Sequence, residues 1–210
     1  MFIGHFAIAY IISHFFPSIP LWVPLVGVSF PDLLWPILVI LGIEKVHIDR
    51  NSPLQKNLEF NHYPYSHSLV LSTAISSVVG LTLSMLLQKP LVALVFPLSS
   101  ASHWILDVVV HRKDLPLLGF SKKDITVGFG LWNYGKSAFV IEYAFYMILT
   151  ILFVPGKYML GLLILGTIFH LTNSNSFLGL TKTNPFGTSK YTYPIITLIG
   201  FSLFIILASL

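Results

Sequence analysis

The chain has 210 residues, 55% of them hydrophobic and only 10% charged, and its mean hydropathy is +0.81. Soluble domains carry about 25% charged residues, so this composition excludes an ordinary water-soluble domain and predicts an all-α, polytopic membrane helical bundle. The net charge of +4 does not point to nucleic acid, and the absence of cysteine excludes both disulfides and thiolate metal ligands.

Seven apolar stretches follow in order, at 2–16, 21–43, 68–87, 91–110, 138–154, 158–171 and 195–210, within a single integral membrane domain covering residues 1–210. A helix needs about 20 apolar residues to span the hydrocarbon layer. The first, sixth and last stretches are short by that measure, so six to seven short transmembrane segments are expected. The first lacks the basic start and small-residue cleavage site of a signal peptide, and is expected to stay in the mature fold. Pro24, Pro31 and Pro36 interrupt the second, which predicts a broken or kinked helix. There is no internal repeat and no low-complexity linker.

Polar loops occupy 44–66, 111–136 and 172–194. If every stretch spans, all three share one face, and that face holds ten of the twelve basic residues; Lys89 and Lys157 remain for the other. The positive-inside rule then places the loops and the amino terminus in the cytoplasm, in a multi-pass protein of the cell inner (cytoplasmic) membrane.

Ionisable residues within apolar stretches are costly and raise a functional hypothesis. Here they are His5, Asp32, His103, Asp107, Glu142 and His170, with His62, His67 and His111 at segment edges. The charge-derived topology takes no account of these residues, yet it puts nearly all of them at one end of the bundle. The spacing His103-x-x-x-Asp107-x-x-x-His111 brings neighbours onto one helix face, where a pair at i and i+4 can hold one metal. His111 would join only if the helix bends or a second metal is present. In His62-Tyr-Pro-Tyr-Ser-His67, Pro64 predicts an extended or turning segment presenting two histidines to a common point. Asp32 follows Pro31, where a broken helix would expose backbone.

Each feature has a plainer reading. His5 alone suits a membrane interface, an HxxxD pair can be a hydrogen-bonded pair within a bundle, and Asp32 can cap a half-helix. His14, His47 and His170 are expected to be structural. Taken together, two carboxylates and several histidines at one end, without basic partners at the same depth, are better explained by a divalent cation. A P-loop pattern, Gly130-Leu-Trp-Asn-Tyr-Gly135-Lys136-Ser137, is set aside because no βαβ unit surrounds it.

With these motifs the chain resembles a family of small prokaryotic membrane proteins described as membrane-bound metal-dependent hydrolases. The likeness rests on Met1-Phe-Ile-Gly-His5, Asp32-Leu-Leu-Trp-Pro36, His62-Tyr-Pro-Tyr-Ser-His67-Ser and Ser102-His103-Trp-x-x-Asp107. It continues through His111-Arg-x-Asp-Leu-Pro116, Gly128-Phe-Gly130-Leu-Trp-Asn133 and Glu142, covering residues 1–145; residues 146–210 match only as generic membrane segments. The resemblance implies a helical membrane protein with a metal-binding set at His5, Asp32, His62, His67, His103 and Asp107. The ligand types are also similar to those of zinc-dependent phospholipase C and nuclease sites.

The expected function is hydrolysis of an ester or phosphoester, a lipid-derived one among the candidates, at the cytoplasmic membrane face. His5, His67, His103 and Asp107 would bind one or two divalent metals, zinc or manganese given mixed nitrogen and oxygen ligands. Asp32 would complete a second metal site or act as general base, His62 or Glu142 would shuttle a proton, and Lys122 and Lys123 would attract an anionic headgroup. The alternatives are a metal- or proton-coupled transporter or channel, and a structural membrane protein stapled by its metal.

Overall fold

The helices of this chain differ in how much of their circumference is buried. The structure, a computed structural model, describes residues 2–121, 123–187, 189 and 191–210. Its long elements are α1 (Ile3–Phe15), α2 (Trp22–Ile40), α4 (Leu69–Leu87), α5 (Val92–Val110), α6 (Gly135–Phe153), α7 (Gly156–Thr172) and α9 (Thr192–Ala208). Two short helices, α3 (Pro64–His67) and α8 (Ser174–Leu178), lie in the loops, with two small antiparallel ribbons. Strand β1 (Lys45–His47) pairs with β2 (Glu59–His62), and β3 (Leu115–Pro116) pairs with β4 (Thr126–Val127).

Four helical segments are long and apolar enough to cross a membrane: Trp22–Ile40, Leu69–Leu87, Val92–Val110 and Leu131–Phe153. Helices α1, α7 and α9 are apolar but have 13, 17 and 17 residues. The shortest, α1, is about 20 Å long at 1.5 Å per residue, against a hydrocarbon core of roughly 30 Å. Its burial explains how it is accommodated. Ile3, His5, Phe6, Ala7, Ala9 and Tyr10 of α1 are buried, so its first turns are surrounded mainly by protein, while Phe15 at its far end is 66% exposed. It packs chiefly on α6, α2 and α5.

Helix α4 has the opposite character. Only 17% of its apolar window is buried, against 56% for α2. The buried residues are Ser72, Ser76, Gly80 and Ser84, a stripe of small residues every fourth position, and it faces α5. Val78, Leu81, Met85 and Leu86 point outward. Large apolar groups outside and small ones at the helix contact are the arrangement that lipid favours, because close backbone approach there replaces the hydrophobic drive available in water.

Of the broken or kinked helix expected from the prolines, the break is absent: α2 runs as one helix through Pro31 and Pro36. Its packing against α5 and α9 holds it in one piece although each proline removes one amide from the hydrogen-bond ladder. The contact with α5 is close: a Cβ at Gly27 would lie 2.6 Å from Ser99 Cβ. This approach brings Asp32 of α2 beside His103 of α5.

The Gly128-Phe129-Gly130 segment closes the end of α5. Phe129 donates its amide to the Val108 carbonyl at 2.7 Å and Gly130 donates to the His111 carbonyl at 2.7 Å, satisfying acceptors the helix terminus leaves open. Gly128 has φ +150° and lies so near the Arg112 carbonyl that a Cβ would be 2.0 Å from its oxygen. The P-loop-like run therefore has another use. Gly130 turns the chain at φ +74°, and Gly135 lets α6 meet the backbone of α8, where a Cβ would come within 2.3 Å of the Phe177 carbonyl oxygen.

Candidate metal centre

Four helices converge near the loop end of α5, α5 itself included. His5 comes from α1, Asp32 from α2, His67 from the last position of α3, and His103 and Asp107 from successive turns of α5. His111 is the next residue after α5, in extended conformation (φ −62°, ψ 149°), so the helix ends there rather than bends. This turn-out still leaves its Nε2 3.6 Å from Asp107 Oδ2. All but Asp32 are buried; Asp32 retains 18% exposure.

The carboxylates form the hub. Asp107 Oδ1 lies 3.3 Å from His5 Nε2, and Oδ2 lies 3.0 Å from His103 Nε2 and 3.9 Å from His67 Nε2. Asp32 lies 3.4 Å from His67 Nε2 through Oδ1 and 3.8 Å from His103 Nε2 through Oδ2. Two triads result, His5–His103–Asp107 and Asp32–His67–His103, each with its ligand atoms within 4.8 Å of one another. The His5 and His103 rings stack with centroids 3.7 Å apart.

Hydrogen bonding on the far side of two rings fixes which nitrogen faces the hub. His103 Nδ1 lies 2.7 Å from the Val28 carbonyl oxygen, which can only accept, so Nδ1 carries the proton. Its Nε2 is buried and makes no hydrogen bond among the described residues, despite Asp107 Oδ2 at 3.0 Å. His67 Nδ1 lies 2.7 Å from Ser66 Oγ, and that hydroxyl donates onward to Glu44 Oε2 at 2.6 Å. With its one hydrogen so used, Ser66 accepts from His67. Glu44 is held in turn by the amides of Tyr65 and Ser66, at 2.8 and 3.0 Å from Oε1. Both imidazoles, when neutral, therefore direct a bare Nε2 at carboxylates, an arrangement that repels itself unless a cation sits between.

Two pKa directions outside the long helices fit this picture. Burial pushes the Glu44 carboxyl above its ordinary value, opposed by the bonds from Ser66 and Tyr65 that favour the charged form. For His67 burial acts downward, but the Asp32 carboxylate beside it, helped by Asp107 and Glu44, outweighs burial and raises the imidazole. A proton and a metal ion are alternative answers to the same negative charge.

The geometry decides which fits better. Ligand atoms about 2.0–2.2 Å from one zinc ion, at tetrahedral angles, lie roughly 3.3–3.6 Å apart. Charge-assisted N–H···O bonds are shorter, at about 2.7–2.9 Å. Of the hub distances, 3.3, 3.4 and 3.6 Å lie in the first range, 3.0, 3.8 and 3.9 Å on either side of it, and none in the second. The buried His and Asp groups could thus hold a metal ion.

The remaining residues singled out by the sequence lie elsewhere. Glu142 of α6 accepts from the amides of Phe2 and Gly4, at 2.5 and 3.2 Å, so its carboxylate sits at the amino end of α1. His62 is on β2, paired with Lys45, and half-buried. Lys123 is exposed between β3 and β4, and Lys122 lies outside the described residues. His170 packs between Phe139 and Tyr143, with Nε2 3.0 Å from the Phe139 carbonyl, as a structural histidine would. Sequence patterning assigns no role to Glu44 or Ser66. A lone carboxylate just past an apolar helix and a serine beside a ligand histidine are the only signals, and neither reveals that the two will meet.

Asp32, His67, Asp107 and His111 open onto a cavity of about 410 Å³ bounded also by α7, α8 and α9. Trp132 of the Gly-Leu-Trp-Asn run forms part of its wall, with its ring 4.3 Å from that of His111. Comparison with protein-family models, curated proteins and solved structures finds no match to the chain.

Proposed function

We propose that this is a membrane-embedded, metal-dependent hydrolase acting on an ester or phosphoester at the cytoplasmic face of the inner membrane. The single observation carrying the reading is the pair of buried histidines, His67 and His103, whose Nδ1 atoms are engaged elsewhere and whose Nε2 atoms face two carboxylates at metal-ligand spacing. His5, His67, His103 and Asp107 hold the ion, with zinc or manganese suiting mixed nitrogen and oxygen ligands. A bound divalent ion supplies a water acidified to a pKa of about 7 and polarises the scissile group.

The chain's own residues supply the rest. Asp32 is the most exposed of the set and borders the cavity, which suits a carboxylate that takes a proton from the attacking water. His111 also borders the cavity; its Nδ1 lies 3.3 Å from Asp114 Oδ1 and its Nε2 points back to Asp107, so it is placed to pass a proton outward. Glu142 is assigned to holding the start of α1, and thereby His5, in place. With all seven apolar helices taken as spans, the positive-inside rule would put the site near the cytoplasmic surface.

The test is metal content and turnover of the purified protein in mild detergent. About one or two equivalents of zinc or manganese are expected in the wild type and a loss of most of it in both Asp107→Ala and His67→Ala. Chromogenic ester and phosphoester panels should show hydrolysis that a chelator abolishes and metal restores. Failure to bind metal would remove the reading; full metal occupancy without any turnover would favour a stapled structural site instead.

A further inference from the structure

The cavity beside the metal ligands has two chemically different ends. Toward the loops its wall carries side-chain amides from Gln55, Asn173, Asn175 and Asn184 among apolar groups such as Phe60 and Phe186, and among the described residues lining it there is no lysine or arginine. Asn173 makes no side-chain hydrogen bond among the described residues, and Gln55 uses its Oε1 to accept from the Tyr193 hydroxyl at 3.1 Å. Toward the bundle the wall is Phe2, Phe169, Gly200 and Phe201. Asp32, His67 and Asp107 lie on the same cavity.

One face of α9 lines the cavity from Tyr193 to Phe201, which is about 12 Å of helix at 1.5 Å per residue. Ile196 on that wall is 38% exposed. At Gly200 the wall is bare: a Cβ there would meet only the tip of Phe2, at 3.8 Å. The volume, about 410 Å³, is that of a site for one small ligand or one chain of a lipid.

We infer that the chamber binds a single-chain amphiphile with an uncharged, hydroxyl-bearing head, its hydrocarbon chain lying along α9 and its head among the amides. This rests on the hydrolase reading for what happens to the ligand, but not for its binding. Among the described residues of this wall no lysine or arginine answers an anionic head, and burying a charge beside neutral amides and two carboxylates costs more than burying a hydroxyl that they can bond. A chain against phenylalanine rings and a bare glycine removes apolar surface on both partners.

The probe is a 1-monoacylglycerol with a brominated chain, compared with a lysophosphatidate bearing the same chain, on protein in nanodiscs. Trp35 and Trp132 both line the cavity and report by fluorescence quenching. The monoacylglycerol should quench saturably at a concentration at least tenfold below the phosphate-headed compound. Gly200→Leu, which places a branched side chain in the chamber, should weaken it tenfold or more without lowering Tm, since leucine is the better helix former. Asn173→Leu should narrow the preference between the two heads. Equal or tighter binding of the phosphate-headed probe, or no effect of Gly200→Leu, overturns the inference. Saturable binding without metal-dependent ester cleavage keeps the chamber and removes the hydrolase reading. Metal-dependent cleavage of a short water-soluble ester with no amphiphile bound does the reverse.

Discussion

At the scale of single residues, the site is organised less by its ligands than by what holds them. His67 is oriented by Ser66, and Ser66 by Glu44, so the chain from Glu44 to the hub is a row of three hydrogen-bonding groups with one arrangement. Groups behind ligand histidines set the tautomer and commonly change metal affinity by about 10–100-fold when lost. Ser66→Ala is therefore expected to weaken metal binding by about that factor in a chelator competition, with helix content by circular dichroism unchanged. A wild-type affinity in the variant would show that His67 needs no such support. Glu142→Ala makes a contrasting case. It strips an acceptor from the buried amide of Gly4 and the partly buried amide of Phe2, at a cost of about 1–3 kcal/mol. It should lower Tm while the metal-loaded fraction of folded protein still binds at full stoichiometry; a proton-shuttling Glu142 would instead lose turnover at unchanged Tm. The ligands themselves are legible in the sequence because a histidine or carboxylate in an apolar run is too costly to keep without a role. Glu44 and Ser66 are not, since a loop carboxylate and a serine are ordinary residues until the fold joins them.

Among the elements, α5 carries most of the site and two neighbours fix its geometry. The Gly128–Gly130 segment caps its end, and Gly27 sets its distance from α2. Gly128→Ala forces a Cβ against the Arg112 carbonyl at a backbone conformation that disfavours side chains, which costs about 1–3 kcal/mol. Since His111 and Asp107 lie in the turn being capped, the variant should lose both thermal stability and metal affinity. Gly27→Leu should separate α2 from α5 and so move Asp32 away from His103, while leaving the α1 ligand His5 where it is. Turnover should then fall while metal occupancy is kept, because Asp32 acts as base and not as ligand; reduced occupancy in a folded Gly27→Leu protein would mean that Asp32 also binds the ion. The element boundaries drawn from apolar runs are close to those observed, as with 21–43 against Trp22–Ile40. The break expected in α2 is the exception. Proline content gives the cost of the missing amide, but not the packing with α5 and α9 that outweighs it.

For the whole molecule, outward-facing apolar side chains and small residues at the α4–α5 contact describe a protein whose solvent is lipid. The absence of cysteine makes the proposed orientation simple to test. Single cysteines at Lys123→Cys and Lys157→Cys should be labelled by a membrane-impermeant maleimide from opposite sides, the first from the cytoplasm. Labelling of both from one side would mean that α6, the one expected span between them, does not cross. The short helices matter to this scale as well. Helix α1 looks like an inadequate span when its length is compared with a bilayer, and becomes intelligible only as the buried centre of the bundle.

Composition alone determined that the chain belongs among apolar helical proteins, because 10% charge cannot supply a soluble surface. Local spacing determined that His103 and Asp107 share a face, because the helix repeat is a property of the backbone. Which distant residues meet them was decided by tertiary structure. Residues 5, 32, 67 and 107 come from four helices, and only the close α2–α5 crossing, the central position of α1 and the turn at α3 bring their nitrogen and oxygen atoms to ligand spacing. Side-chain separations of a few ångströms across 100 residues of sequence depend on packing, and packing is not written in any one segment.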